Sequence, residues 1–298
     1  MTLLPRCVLV ERQTEFRDLL ARHGTREQAR FFLAQRGLAL ADVEERHLHH
    51  EELRAQVLGA IPPEWRTATV LRPDLDRFLF AADDIVLVLG QDGLVANVAK
   101  YLDSQPVIGL NPEPDRFPGV LVNQPPEAVA DLCADLMAGR STFQERTMVQ
   151  AGLDDGQVLL ALNEIFVGHR SHQSARYRLA VGDRHEHQSS SGLIASTGTG
   201  ATGWAMSINH QRAQPLELPA PASPRLAWFV REAWESPTTK ATLTGGLLAA
   251  GAEIELTSEL GGDGVVFGDG IESDRLELDW GQRVTIRAAD RHLRLVGA

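Results

Sequence analysis

Cysteine is almost absent: Cys7 and Cys133 are the only two in 298 residues. Two distant cysteines make neither a disulfide framework nor a thiolate metal site, and they suit a reducing compartment. A cytoplasmic location is therefore expected. Basic residues are in deficit, 29 Lys and Arg against 40 Asp and Glu, for a formal net charge of −11. A surface for nucleic acid or for an anionic membrane needs a basic patch. Neither partner is expected, although backbone N–H groups still allow a nucleotide ligand. No apolar run approaches the roughly 20 residues of a membrane span. Met1-Thr2-Leu3-Leu4-Pro5-Arg6 passes directly into an apolar strand, Cys7 to Val10, so no signal peptide or arginine-rich presequence is expected. The Gly-x-x-x-x-Gly-Lys-Ser/Thr order of a P-loop is missing, and with it that motif's phosphate-bridging lysine. There is no persuasive internal repeat.

The composition is globular, with 43% hydrophobic and 23% charged residues. The length favours two domains over one large core. Ile85-Val86-Leu87-Val88-Leu89 is an unbroken apolar run without alternation, as in a parallel strand buried on both faces. It enters Gly90-Gln91-Asp92-Gly93, and Leu94 to Leu102 then carries helical spacing. Ligands of open α/β sheets bind at such carboxyl ends, and glycines let backbone N–H groups approach a phosphate. A carboxylate there repels phosphate unless it takes a proton or holds a metal. Asp92 as a plain helix cap accounts for the same four residues.

Around this strand, strands and helices alternate. Strands are expected at Cys7 to Val10, Arg66 to Leu71 and Pro106 to Leu110. Helices are expected at Glu15 to Arg22, Arg26 to Arg36, Val43 to Leu58, Asp74 to Phe80 and Pro126 to Met137. This is a doubly wound unit. Asn111 opens a breaker-rich loop. His47, His49 and His50 lie among glutamates on a charged helix, which reads as a solvated face and not as a metal site. The character changes near Gly139. From there the chain reads as strands: Gln157 to Gly168, Arg176 to Gly182, Leu226 to Ala233, Glu253 to Thr257, Arg283 to Arg287 and a closing Leu293 to Val296, with Gln211 to Pro224 a loop. The expected domains are 1–138, α/β, and 139–298, β-rich, with the last strand able to return to the first.

Three further segments could carry chemistry. Leu193-Ile194-Ala195 enters a turn of glycines and hydroxyls, Ser196 to Gly203, and an amphipathic piece leaves it from Trp204. Exposed N–H groups and hydroxyls of that kind can hold phosphate. Asn163-Glu164 interrupts the apolar run Ala161 to Val167. Neighbours on a strand face opposite ways, so one of the pair faces inward or lies at a strand end. A ligand's hydroxyls or amide would satisfy it, as would local backbone. Val265-Val266-Phe267-Gly268-Asp269-Gly270 ends another apolar run in Asp-Gly, a weak signal by itself. Gly261-Gly262-Asp263-Gly264 has no buried strand leading into it and reads as a loop.

Together the Gly90–Gly93 turn, Asn163-Glu164 and Gly192 through Trp204 resemble, in order and spacing, the NAD kinase family over nearly the whole chain. The resemblance looks closest to the branch that includes the mitochondrial animal enzyme. It implies an α/β plus β protein, an N-terminal doubly wound Rossmann-like domain with a parallel sheet followed by an all-β sandwich-like domain. It also implies transfer of the γ-phosphoryl group of ATP to the 2′-hydroxyl of the adenosine ribose of NAD. Asp92 would be the base. Gly90, Gln91, Gly93, Asn111, Asn163, Glu164, Thr197, Thr199, Gly200, Thr202, Gly203, Trp204, Ser207 and Asp269 would bind the nucleotides. Mg²⁺ would arrive on the ATP phosphates, with no metal ligands of its own, and a homodimer is implied. Gln91 departs from the family's glycine, and Ser191 from its acid before the Gly-Leu-Ile-like strand. Gln91 leaves open a slow enzyme, a changed phosphoryl donor, or a silent NAD(P)-binding protein. A kinase of the wider superfamily with another hydroxyl acceptor is a further alternative.

Overall fold

A run with no polar position, such as Ile85–Leu89, is stable only where both faces are covered. The computed structural model describes residues 4–297, so the reading of Met1 to Leu3, and Ala298, lie outside the described residues. The chain forms two units. The first runs up to Val98 and takes in Gln105–Phe143 and the residues from Leu295 onward; the second holds Ala99–Ser104 and Gln144–Arg294.

In the first unit β1 (Arg6–Glu11), β2 (Arg66–Leu71), β3 (Ile85–Leu89) and β4 (Pro106–Leu110) form a parallel sheet in the order β2-β1-β3-β4. Its helices are α1 (Glu15–His23), α2 (Arg26–Ala34), α3 (Leu40–Ala60), α4 (Asp92–Ala99) and α5 (Val129–Met137). Cys7, Leu9, Leu87, Leu89 and Ile108 pack on one face with Val57, Val129 and Cys133. Val8, Val10, Val86 and Val88 point to the other face and are equally buried. That double burial is why the strands lack alternation. Helices α1 to α3 build a small core of their own from Leu19, Ala29, Leu33, Leu40 and Val43. The strand order reverses direction at β1 and β3, and the carboxyl ends of those two strands are the switch point where such sheets bind ligands.

The second unit contains β5 (Phe143–Leu153), β6 (Val158–Ala161), β7 (Glu164–His169), β8 (Ala175–Val181), β9 (Arg184–Ser190), β10 (Leu193–Ser196), α6 (Trp204–His210), β11 (Leu226–Val230), β12 (Gly245–Leu248), β13 (Glu253–Ser258), β14 (Gly264–Gly268), β15 (Arg275–Leu278) and β16 (Arg283–Val296). One antiparallel sheet runs β12-β11-β10-β7-β14-β15; the other holds β16-β13-β8-β9, with β5 pairing β6. Ile165, Val167, Leu193 and Trp228 of the first sheet pack against Tyr177, Leu179, Ile254 and Val284 of the second. The opposite face of the first sheet carries Phe166, Ile194 and Val265 under Trp204 and Ile208 of α6.

Several elements differ from the sequence expectation. The strand expected over 157–168 is two strands, broken at Leu162 and Asn163, because a distant carboxylate takes those two N–H groups out of the ladder. The expected helix over 74–80 is a 3₁₀ turn, Arg72–Arg77, which its proline at the start favours. Strand β9 carries no strand signal, since Arg-His-Glu-His-Gln-Ser-Ser has no apolar residue. The two strands expected after 283 are one, β16. The run after the Gly90–Gly93 turn starts its helix at Asp92 itself.

Asp84 is fully buried at the foot of β3, and Arg6 holds it through two bonds, Nε to Oδ1 at 2.8 Å and Nη2 to Oδ2 at 2.6 Å. Arg6→Ala would leave a buried carboxylate unpaired and should destabilise the fold by about 3–5 kcal/mol. Urea unfolding of the variant measures this, and a loss under about 1 kcal/mol would mean that water replaces the guanidinium.

Candidate functional site

In the first unit the site is built where β3 gives way to α4. Asp92 stands in the first turn of α4, half-buried. Its carboxylate accepts backbone N–H bonds from three successive residues of the loop after β4. Oδ1 takes Val120 N at 3.1 Å, Leu121 N at 2.8 Å and Val122 N at 3.0 Å, while Oδ2 takes Val120 N at 3.0 Å. Oδ1 is thus saturated and Oδ2 keeps room for another donor. The loop reaches Asp92 by pressing on β4: a Cβ on Gly109 would lie 2.0 Å from the Leu121 carbonyl oxygen, so only glycine fits there. Asn111 shapes the start of the same loop. Its Nδ2 donates to the Phe117 carbonyl at 2.8 Å and its Oδ1 accepts the Glu113 N–H at 3.0 Å. The amide of Asn111 therefore folds the loop.

Gln91 is exposed, and among the described residues the non-glycine positions with positive φ are Glu232 and Asp269 alone. Gln91 therefore fits its turn without strain. Gly90 and Gly93 have no positive φ either, and their place reflects small size. Around the turn opens a cleft of about 570 Å³, lined in part by Arg12, Arg72, His47, Gly90 and Gln91.

In the second unit the chemistry gathers at the break between β6 and β7. Asp269, at φ 53° after β14, accepts Asn163 N on Oδ1 at 2.7 Å and Leu162 N on Oδ2 at 2.9 Å. Its own N–H donates to the Glu164 carbonyl at 3.1 Å. Thr197 closes the turn from the other side, donating its hydroxyl to the Leu162 carbonyl at 2.6 Å and its N–H to the Asn163 carbonyl at 2.9 Å. Thr197 is fully buried and serves as a brace. Gly200 packs so closely that a Cβ would meet the Asn163 carbonyl oxygen at 2.3 Å. The Thr199 hydroxyl is buried without a protein partner, and such a group calls for one from outside the chain. Thr202, Gly203 and Ser207 are exposed at the start of α6. Trp204 stacks on Phe166, ring centroids 5.9 Å apart, with the Arg231 guanidinium 5.0 Å from its ring.

Burial pushes the Glu164 carboxyl up to about 7, and the charge of Asp269 adds to the shift. Burial likewise raises Asp269 to about 6, against the N–H bonds from Leu162 and Asn163 and the charge of Lys100. The buried Lys100 ammonium pairs with Asp274, which also accepts the Tyr101 hydroxyl at 2.5 Å. Glu164 is thus poised near neutrality to donate or accept a ligand hydrogen. Lys100, Tyr101 and Asp274 gave no signal in the sequence, since neither their spacing nor their neighbours form a motif. Arg12 and Arg72 were equally silent. The backbone donors of Val120 to Val122 have no side-chain signature at all. Among the described residues no group of three His, Cys, Asp or Glu could hold a metal ion. No helix of the described residues is long and apolar enough to cross a membrane.

Glu164 and Asp269 bind protons more tightly in the folded chain than the roughly pH 4 of free carboxyls. Their contribution therefore favours the fold in mild acid and is lost as pH rises through about 6 to 7. Glu164→Gln should flatten this dependence, with a melting temperature above that of the unaltered chain at pH 8 and a smaller difference at pH 5. Thermal denaturation at the two pH values checks it. A difference independent of pH would remove Glu164 from the titration.

No protein-family model matches the chain. It is 37% identical over 133 residues to an NAD kinase of Ralstonia nicotianae, a match covering 42% of this chain and 43% of that one. It is 27% identical over 263 residues to the mitochondrial NAD kinase 2 of Rattus norvegicus, covering 71% of this chain and 62% of the rat protein. The chain thus spans less than half the length of the bacterial relative it matches. The expectation of a closest resemblance to the mitochondrial branch is corrected by these figures, since the bacterial protein is the more identical over its aligned segment. Among solved structures, a yeast NADH kinase complexed with NADH matches with a TM-score of 0.61 at 15% identity, covering 99% of this chain and 84% of that one. That likeness establishes the fold, a parallel-sheet α/β unit followed by an antiparallel β unit, as it occurs in kinases of NAD(H).

Proposed function

We propose that the protein is an NAD kinase, which transfers the γ-phosphoryl group of ATP, taken as its Mg²⁺ complex, to the 2′-hydroxyl of the adenosine ribose of NAD. The observation that carries this reading is the asymmetric hold on Asp92. Three N–H bonds fix Oδ1, and Oδ2 accepts one. A fixed carboxylate oxygen with an open lone pair suits the orientation of a hydroxyl and the acceptance of its proton. In the step itself the 2′-oxygen bonds to the γ-phosphorus, the bond from that phosphorus to the β–γ bridging oxygen breaks, and ADP leaves. The hydroxyl proton passes to Asp92 Oδ2 late in the transfer and then to water. Such transfer depends on alignment and charge neutralisation more than on a strong base, and Mg²⁺ on the triphosphate supplies part of the neutralisation.

Asn163 and Glu164 serve the polar edges of NAD. Thr199 offers the buried hydroxyl noted above, and Asp269 acts through the backbone of Leu162 and Asn163. The bacterial and rat relatives, both called NAD kinases, support this acceptor. The rival reading, a silent NAD(P)-binding protein, draws on Gln91. The unstrained backbone at Gln91 weakens it.

The test is incubation of the purified chain with ATP, Mg²⁺ and NAD, followed by an enzymatic assay for NADP. NADP should accumulate. Asp92→Asn should lower the rate by roughly 10²–10⁴ while leaving NAD affinity in place. No NADP from the unaltered chain would defeat the proposal, and a variant as fast as the parent would remove Asp92 from the chemistry.

A further inference from the structure

Three arginines line the cleft at the carboxyl ends of β1 and β3: Arg12, Arg46 and Arg72. Carboxylates line it too, but most are already paired. Glu15 takes Arg46 at 2.8 Å, and Glu113 takes Arg116 at 3.0 Å. Asp18 lies beyond ion-pair distance of any cation among the described residues. Just behind the cleft Glu11 takes Arg54 at 2.9 Å and His50 at 3.6 Å. Arg12 and Arg72 form no ion pair among the described residues. Both nevertheless border the Gly90–Gly93 turn. Arg12 Nη2 lies 3.8 Å from where a Cβ would stand on Gly93. Arg72 Nε donates to Oδ1 of Asn97, on α4, at 2.6 Å. Neighbouring protein partly desolvates the Arg12 guanidinium, and the charge of Arg72 adds to this, so its pKa lies below the ordinary value although the residue as a whole is exposed.

Two neighbouring guanidiniums with no carboxylate within ion-pair distance repel, and the repulsion grows as water is excluded. A chain of net charge −11 has carboxylates to spare, so the missing counter-ion is a local arrangement and not a shortage. Guanidinium forks match phosphate oxygens two at a time. The glycines keep the floor of the cleft low enough for a phosphate to come close.

We infer that Arg12 and Arg72 form a clamp over the Gly90–Gly93 turn for a chain of phosphates, either the tail of a nucleoside triphosphate or an inorganic polyphosphate. The clamp deepens the kinase reading and rests on it in one respect, that the bound anion is the phosphoryl donor. It also gives Gln91 a place, since an exposed amide at the cleft rim can add one N–H to a phosphate oxygen.

Calorimetric titration of the full chain with sodium tripolyphosphate, without NAD, tests the clamp. The unaltered chain should bind, and more weakly as salt rises. Arg12→Gln should weaken binding about tenfold or more, with NAD affinity unchanged. Arg12 is exposed, so the variant should keep the fold, and circular dichroism verifies it. Arg72→Lys, which keeps the charge but loses the fork, should weaken binding to a lesser degree. Tighter binding of MgATP than of tripolyphosphate identifies a nucleoside triphosphate as the occupant, and the reverse identifies polyphosphate. Unchanged affinity in Arg12→Gln, or no tripolyphosphate binding by the unaltered chain, overturns the clamp. Because the readout needs no turnover, the two ideas fail separately. Anion binding without NADP formation sinks the kinase and leaves the clamp. NADP formation with an indifferent Arg12→Gln does the reverse.

Discussion

The carboxylate of Asp269 is the constraint on which the β-rich unit's chemistry depends. It reaches back to the break between β6 and β7 and accepts the N–H groups of Leu162 and Asn163. Without it those two donors would stand unpaired in a half-buried corner, at the usual cost of about 1–3 kcal/mol each. With it the chain can leave one sheet, turn within two residues, and enter the other. That turn puts Asn163 and Glu164 at the mouth of a strand. The backbone of Asp269 sits at φ 53°, a conformation that aspartate tolerates better than most side chains. Its two bonds and the brace from Thr197 hold it there. Burial raises the Glu164 carboxyl, and the charge that holds the corner adds to the shift, so the support of the site contributes to its tuning.

Most of the fold was legible because its signals are side-chain patterns. Ile85–Leu89 declares a strand covered on both faces, and the strictly alternating run over 253–257 declares one with a wet face. Strand β9 was not legible, since it is polar throughout and is ordered by its pairing with β8 and by the bonds of Glu186 to Thr242 and Leu243. The 3₁₀ turn at Arg72–Arg77 reads as a helix in the sequence because short apolar spacing serves both.

The site divides in the same way. Asp92, Asn163, Glu164 and Asp269 are visible as polar residues where apolar runs end. What these residues touch is not visible. Thr197 and Asn111 look like ligand contacts in the sequence and act as braces in the structure. Arg12 and Arg72 are far apart in the sequence and have ordinary neighbours. Their meaning lies in what they fail to pair with, and a sequence does not record that.

The hold on Asp92 has one more consequence. Its donors are the main-chain N–H groups of Val120, Leu121 and Val122, and every amino acid except proline brings the same group to those positions. The contact itself therefore sets no side-chain requirement at these three positions, and burial alone keeps Leu121 and Val122 apolar. The heritable requirement moves to Gly109, a residue that never meets the carboxylate and permits the loop's approach only by having no side chain. Selection on this half of the site would therefore leave its trace on two glycines that never touch the carboxylate, Gly109 in the neighbouring strand and Gly119 in the loop, where a Cβ would meet the Val122 carbonyl oxygen at 2.1 Å.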